Sequence, residues 1–133
     1  MPSPPEIVKL ILDIAGVGPG DYIIDLGSGD GRIVISAAQR GAFNHGRDLN
    51  PVRVTEAVEN AVSAGVSDRV QFLEADLLEA DISRATVITM YLLPQVNLRL
   101  KPILFEQLKP GNRIVSHNFS MGRWEEDEHI KLY

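Results

Sequence analysis

Residues Tyr22 to Ala38 read Tyr-Ile-Ile-Asp-Leu-Gly-Ser-Gly-Asp-Gly-Arg-Ile-Val-Ile-Ser-Ala-Ala, and they restrict the fold more than any other stretch of the chain. Tyr22 to Leu26 is a short apolar run of the kind found in buried strands. Gly27, Gly29 and Gly31 follow at alternate positions, and Ile33, Val34, Ala37 and Ala38 then recur at helical spacing. A buried strand that passes through a glycine loop into a helix is the opening unit of an open, doubly wound α/β sheet. Loop glycines let a ligand approach the backbone closely, and the helix N-terminus points N–H groups into the same space.

The spacing argues against a dinucleotide. A dinucleotide fingerprint places its third glycine three residues after the second, which is position 32, and that residue is Arg32. Arginine is too bulky for the close helix–strand contact that glycine serves there. Asp25 ends the strand and Asp30 sits inside the loop, and both would repel a pyrophosphate. A ligand with a cationic end suits them. S-adenosylmethionine (SAM) has an ammonium and a sulfonium at one end and an adenosine at the other.

The 133 residues are enough for one domain with a proper core, and the chain is read as a single domain over 1–133. A net charge of −5 argues against general nucleic-acid or membrane-surface binding. The absence of cysteine excludes disulfides, thiolate metal sites and a cysteine nucleophile. No run approaches the length of a membrane span, and Met1-Pro-Ser-Pro-Pro5 does not read as a signal peptide, so a cytoplasmic location is expected. His45 has no partner at ligand spacing, and no metal is expected.

Ser3-Pro-Pro-Glu6 has the form of a capping box and opens a helix with Ile7, Leu10, Ile11, Ile14 and Ala15 on one face, stopping at Gly16. The helix after the glycine loop ends near Arg40-Gly41. Ala42 to Asp48 is polar for a buried parallel strand. It is assigned as one because Asp48 lies 17 residues beyond Gly31, close to where an acid that bonds ribose hydroxyls should fall. Asn50-Pro51 starts the next helix, with Val54, Ala57, Val58, Ala61 and Val62 as its buried face and Gly65 at its end. Val70–Ala75 is the third strand, and the β-branched, uncharged run Ala85–Tyr91 is suited to the sheet centre. Tyr91-Leu-Leu-Pro94 then faces the crevice outside the strand ends. Helical spacing resumes through Val96, Leu100, Leu104 and Leu108, with a kink or two short helices expected because Pro102 lies within that pattern. Arg113–Asn118 and His129–Tyr133 read as the fifth and sixth strands.

Asp25-Leu-Gly-Ser-Gly-Asp-Gly31 resembles the first motif of the class I SAM-dependent methyltransferases. The resemblance runs from about Pro4 to Tyr133 and takes in Asp48, Asp76, the strand before Tyr91 and the Lys109-Pro-Gly111 turn. Within that superfamily the chain is similar to small bacterial and archaeal enzymes akin to the non-SET protein lysine methyltransferases. The resemblance implies a Rossmann-like, doubly wound, mostly parallel sheet of about six strands with helices on both faces. It implies a cofactor site of Asp25, Gly27, Ser28, Gly29, Gly31, Asp48, Leu49, Asp76, Leu77 and Tyr91. Asp48 would hold the ribose, Asp76 the adenine amino group, and Leu77 the ring face. Asp76 also reads as a helix N-cap.

Two features depart from the family. The Asn/Asp-Pro-Pro-aromatic motif is replaced by Tyr91-Leu-Leu-Pro94, and the last, antiparallel strand of the sheet is expected to be missing. An edge left uncovered pairs with the last strand of the chain or with a second copy in a homodimer. The implied activity is methyl transfer from SAM, leaving S-adenosylhomocysteine, to a nucleophile. A protein lysine or a small-molecule amine suits it best. Tyr91 and His117 are the candidate catalytic groups, each read equally well as structural. Two other readings stay open: a non-catalytic SAM-binding or partner-binding module, and an NAD-dependent oxidoreductase.

Overall fold

The structure, a computed structural model, describes residues 5–76, 82–90, 99, 102–103, 106–107, 111–119 and 128–132, with backbone alone for 116–119 and 128–132. Its six strands are β1 (Tyr22–Leu26), β2 (Phe43–Asp48), β3 (Val70–Glu74), β4 (Val87–Met90), β5 (Arg113–Phe119) and β6 (Glu128–Leu132). Three helices are α1 (Pro5–Ala15), α2 (Arg32–Gln39) and α3 (Pro51–Ser63), and Arg99, Pro102, Ile103, Glu106 and Gln107 also have helical backbone. Pro102 itself has helical backbone, and the kink or break expected there would involve residues 100–101 and 104–105, which lie outside those described.

The strand order is β3-β2-β1-β4-β5-β6. The first five strands are parallel, and β6 is antiparallel to β5, with Val115 opposite Leu132 and Phe119 opposite Glu128. The chain steps outward from β1 through β2 to β3, then returns to β4 on the other side of β1. That reversal makes the β1/β4 boundary the switch point at which open α/β sheets bind their ligands. β6 corrects one expectation, that the sheet lacks an antiparallel strand, and bears out another, that the chain's own last strand pairs with the fifth. Only eight residues, 120–127, separate β5 from β6, fewer than the dozen or so a parallel crossover needs, so β6 runs back alongside β5.

Alternation along the parallel strands divides the core in two. Ile23, Val87 and Val115 face α1 and α2, packing on Val8, Ile11, Leu12, Ala15, Ile33 and Ala37. Ile24, Leu26, Ile88, Met90 and Ile114 face the other way, onto Ile82 and Ala85. The helical residue Gln107 ties in there, its side-chain oxygen accepting from the Ile82 amide at 2.8 Å. α3 packs mainly through Ala61 against Ile35, Ala38 and Val66.

Two helix faces differ from their expected stripes. α1 buries Val8, Ile11, Leu12 and Ala15, while Leu10 and Ile14 are exposed. Its sequence is apolar almost all round, so periodicity alone could not choose the stripe. α3 buries only Ala57 and Ala61, leaving Val58 and Val62 outside. Small residues let α3 approach the glycine loop closely: a Cβ on Gly31 would lie 3.1 Å from that of Ala57.

Asp21 fastens the end of the sheet remote from the glycine loop. Its Oδ1 accepts from the Thr86 hydroxyl at 2.8 Å and from the Arg113 guanidinium, and its Oδ2 from the Gly18 amide at 2.9 Å. Burial pushes the carboxyl up, but these donors outweigh it and hold Asp21 below the usual range.

Candidate functional site

The glycine loop leaves β1 at the switch point and is tied to β2. The amides of Gly27 and Ser28 both donate to the Arg47 carbonyl at 2.9 Å, the Gly31 amide to the Ser28 carbonyl at 2.9 Å, and the Gly29 amide to Asp48 Oδ2 at 2.9 Å. These four N–H groups are therefore committed within the protein rather than held out to a ligand. The loop offers close approach instead. Gly27, Gly29 and Gly31 all have positive φ, of 86°, 56° and 86°. A Cβ on Gly29 would meet no atom within 4 Å, whereas one on Gly31 would sit 2.8 Å from Phe72 Cζ. Gly31 thus serves packing, and Gly29 borders open space.

Gly46 explains why β2 is so weak a strand in sequence. A Cβ there would lie 2.5 Å from Ser28 Cβ, so the strand must lack a side chain where the loop folds onto it. The Ser28 hydroxyl is buried against this glycine and has no hydrogen-bond partner among the described residues.

Asp25 and Thr89 face each other across the switch point in the β1/β4 register, each 1% exposed. The Thr89 hydroxyl donates to Asp25 Oδ1 at 2.8 Å. Burial pushes the Asp25 carboxyl up to about 7; the Thr89 bond opposes this, and the charges of Asp48 and Asp30 add to it. Asp30, by contrast, is held below the usual range chiefly by Arg32, whose Nη2 lies 2.7 Å from Oδ2. Arg32 thus neutralises one of the two loop acids read from the sequence as drawing a cation, and Asp25 keeps no such partner among the described residues.

Asp48 ends β2. Besides Gly29, it accepts from the Asn50 amide at 2.9 Å through Oδ1, while the Asn50 side chain caps α3 by accepting from Val52 N at 3.0 Å. The Ala75 amide donates to the Asp48 carbonyl at 3.1 Å, and Arg47 Nη1 to the Asp76 carbonyl at 3.2 Å. Asp48 and Asp76 therefore share the rim with the glycine loop, and both Leu49 and Asp76 are exposed. Leu77 and Tyr91 lie outside the described residues, as does the side chain of His117, whose backbone is in β5.

Three residues escaped sequence reasoning: Gly46, Arg47 and Thr89. Thr89 alone had a signal, a hydroxyl inside an otherwise apolar strand whose neighbour carries Asp25. His45 is buried on the opposite face of the sheet, its Nδ1 3.2 Å from the Tyr22 hydroxyl, and belongs to the core rather than to this rim. A cavity of about 620 Å³ lies between α1, α2 and α3, but neither Asp48 nor Asp76 lines it.

The residues present fit SAM. Asp25 lacks a cation, Asp48 uses two of its roughly four acceptor positions, Ser28 has an orphaned hydroxyl, and Gly29 borders open space. The chain matches the model of the ANTKMT methyltransferase domain over residues 25–128. It is 44% identical, over 99% of its length and 83% of the relative's, to the protein-lysine N-methyltransferase of Saccharolobus islandicus (strain REY15A). It is 35% identical over 89% of its length to the adenine nucleotide translocase lysine N-methyltransferase of Mus musculus, of which it spans 52%. Among solved structures, an RNA methyltransferase from Salinibacter ruber in complex with S-adenosyl-L-homocysteine superposes with a TM-score of 0.92 at 50% identity, covering 100% of this chain and 92% of that one. Matches of this length and identity make the chain a member of the ANTKMT methyltransferase domain family, a class I SAM-dependent methyltransferase.

Proposed function

We propose that the acceptor is the side-chain amine of a protein lysine. The observation that carries this is the 44% identity, along 99% of the chain, to a protein-lysine N-methyltransferase. The composition agrees: an acidic chain suits a basic, lysine-bearing acceptor. When bound, SAM supplies a methyl group on a sulfonium. Asp48 holds the ribose, Asp76 with Leu77 the adenine, and Asp25 with the Gly27–Gly31 loop the amino-acid end. The rest of the work falls to alignment, because a neutral amine needs little more than an in-line approach and a place to lose its proton. Tyr91, the residue after β4 in sequence, and His117, in β5, are the chain's groups for orienting that amine.

A second reading has one observation behind it: the relative from Salinibacter ruber is described as an RNA methyltransferase. Radiolabelled SAM, incubated with the protein and either a protein extract or purified RNA, separates the two. The label is expected in protein, protease-sensitive, and located on lysine by mass spectrometry. Label confined to RNA, lost to ribonuclease alone, would overturn the lysine proposal.

A further inference from the structure

We propose that Thr89 is a positioning residue for the cofactor: its hydroxyl, reaching across the β1/β4 switch point, holds Asp25 ready to receive the ammonium of SAM. This rests on the SAM site described above and extends it to a residue on the neighbouring strand. The geometry carries it. Thr89 and Asp25 are register partners, both are 1% exposed, and their bond is 2.8 Å long. No other residue of β4 offers a polar side chain, since Val87, Ile88 and Met90 are apolar and packed in the two cores.

The surroundings of Asp25 give this bond a task beyond satisfying a buried hydroxyl. Among the described residues, the charges acting on Asp25 are Asp48 from the end of β2 and Asp30 from the loop, and both disfavour its ionised form. Arg32 is turned to Asp30. α1 and α2 offer the apolar Val8, Leu12, Ile33 and Ala37 to the same face of the sheet. The Thr89 hydroxyl is thus the one described group that favours the carboxylate, and it does so through Oδ1. A charged Asp25 in so dry a setting attracts an ammonium strongly.

The test is SAM affinity, measured calorimetrically for the parent, Thr89→Val and Thr89→Ser between pH 6 and pH 9. The variant-to-parent ratio at each pH removes the ligand's own ionisation. Thr89→Val keeps the shape and loses the donor. It is expected to bind roughly fivefold more weakly near pH 7, close to tenfold more weakly at pH 6, and to approach the parent by pH 9, because the midpoint of the Asp25 titration moves up by about one pH unit. Thr89→Ser should follow the parent throughout. A carbon-13 titration of the Asp25 carboxyl, without cofactor, should show the same upward displacement in Thr89→Val. A ratio that is constant with pH, or an Asp25 midpoint unchanged in Thr89→Val, would overturn the positioning role. Failure of the parent to bind SAM at any pH would overturn both this role and the cofactor site, and is seen before any variant is made.

Discussion

The Gly29 amide donates to the Asp48 carboxylate at 2.9 Å, so the loop at the end of β1 and the acid at the end of β2 are one unit. The same carboxylate accepts from Asn50 and sets the entry to α3. An acid proposed to hold the ribose that also fixes the loop has two ways of affecting the cofactor when it is changed.

Asp48→Ala should therefore weaken SAM binding at least tenfold, combining lost ribose bonds with a loosened Gly29. Bonds to a charged acceptor are worth about 1.5–3 kcal/mol each. Asp48→Asn should be milder, since its amide oxygen still accepts one of the two backbone bonds. Calorimetry measures the affinities, and amide exchange at Gly29 should rise in Asp48→Ala. An unchanged affinity would remove Asp48 from the cofactor site.

The glycines should respond differently to the same added methyl. Gly29→Ala meets no protein atom, so it should fold, at a cost of about 1–2 kcal/mol for its positive φ, and lose SAM binding. Gly31→Ala and Gly46→Ala press on Phe72 and Ser28, so they should lower the urea midpoint well beyond Gly29→Ala. Equal midpoints for all three would contradict this division of labour.

Stability without cofactor should change little with pH between about 4 and 6.5, because two buried groups oppose each other. Asp25 is pushed up to about 7, so between pH 4 and 7 the folded chain holds a proton the unfolded chain has lost, and stability falls as pH rises. His45 is pushed down to about 4, first by burial and then by Arg47 and Arg84. The unfolded chain therefore holds the extra proton between about 4 and 6.5, and stability rises with pH. Each effect is on the order of 3 kcal/mol. Asp13, Asp21 and Asp30, all held below the usual range, keep their contribution through this window and lose it only on further acidification. Urea midpoints should show Asp25→Asn gaining stability from pH 4 to 6.5, and His45→Gln losing it. At pH 8, Asp25→Asn should be more stable than the parent and bind SAM less well.

The rim of the site was legible because its residues announce themselves one at a time. Glycines at alternate positions, an acid at each strand end and Asn50-Pro51 need no partner to be recognised. What the sequence hid depends on pairs. Gly46 makes sense only with Ser28 folded against it, and Arg47 only with the loop amides on its carbonyl. Thr89 looks like an ordinary strand residue until register places it opposite Asp25. The helix faces were ambiguous for the opposite reason: α1 has too many apolar residues to mark one stripe, and α3 packs through alanines while its larger valines stay outside. The last strand and, as one of two alternatives, its pairing with β5 were legible, but its antiparallel direction was not, because its residues reveal a strand without saying which way it runs.

Tyr91→Phe should leave SAM affinity unchanged and lower the methyl-transfer rate roughly tenfold, about 1.4 kcal/mol, if the hydroxyl orients the amine. Single-turnover transfer to a lysine substrate measures it. An unchanged rate would leave Tyr91 with at most a cation–π contact to the amine.

The central claim is that the loop between β1 and α2, with Asp48 and Asp25, forms a site for SAM. A calorimetric titration of the parent protein with SAM, S-adenosylhomocysteine and NAD tests it most directly. Such a site predicts saturable one-to-one binding of the first two and none of NAD. Binding of NAD in competition with SAM, or failure of both adenosyl ligands to bind, would contradict it.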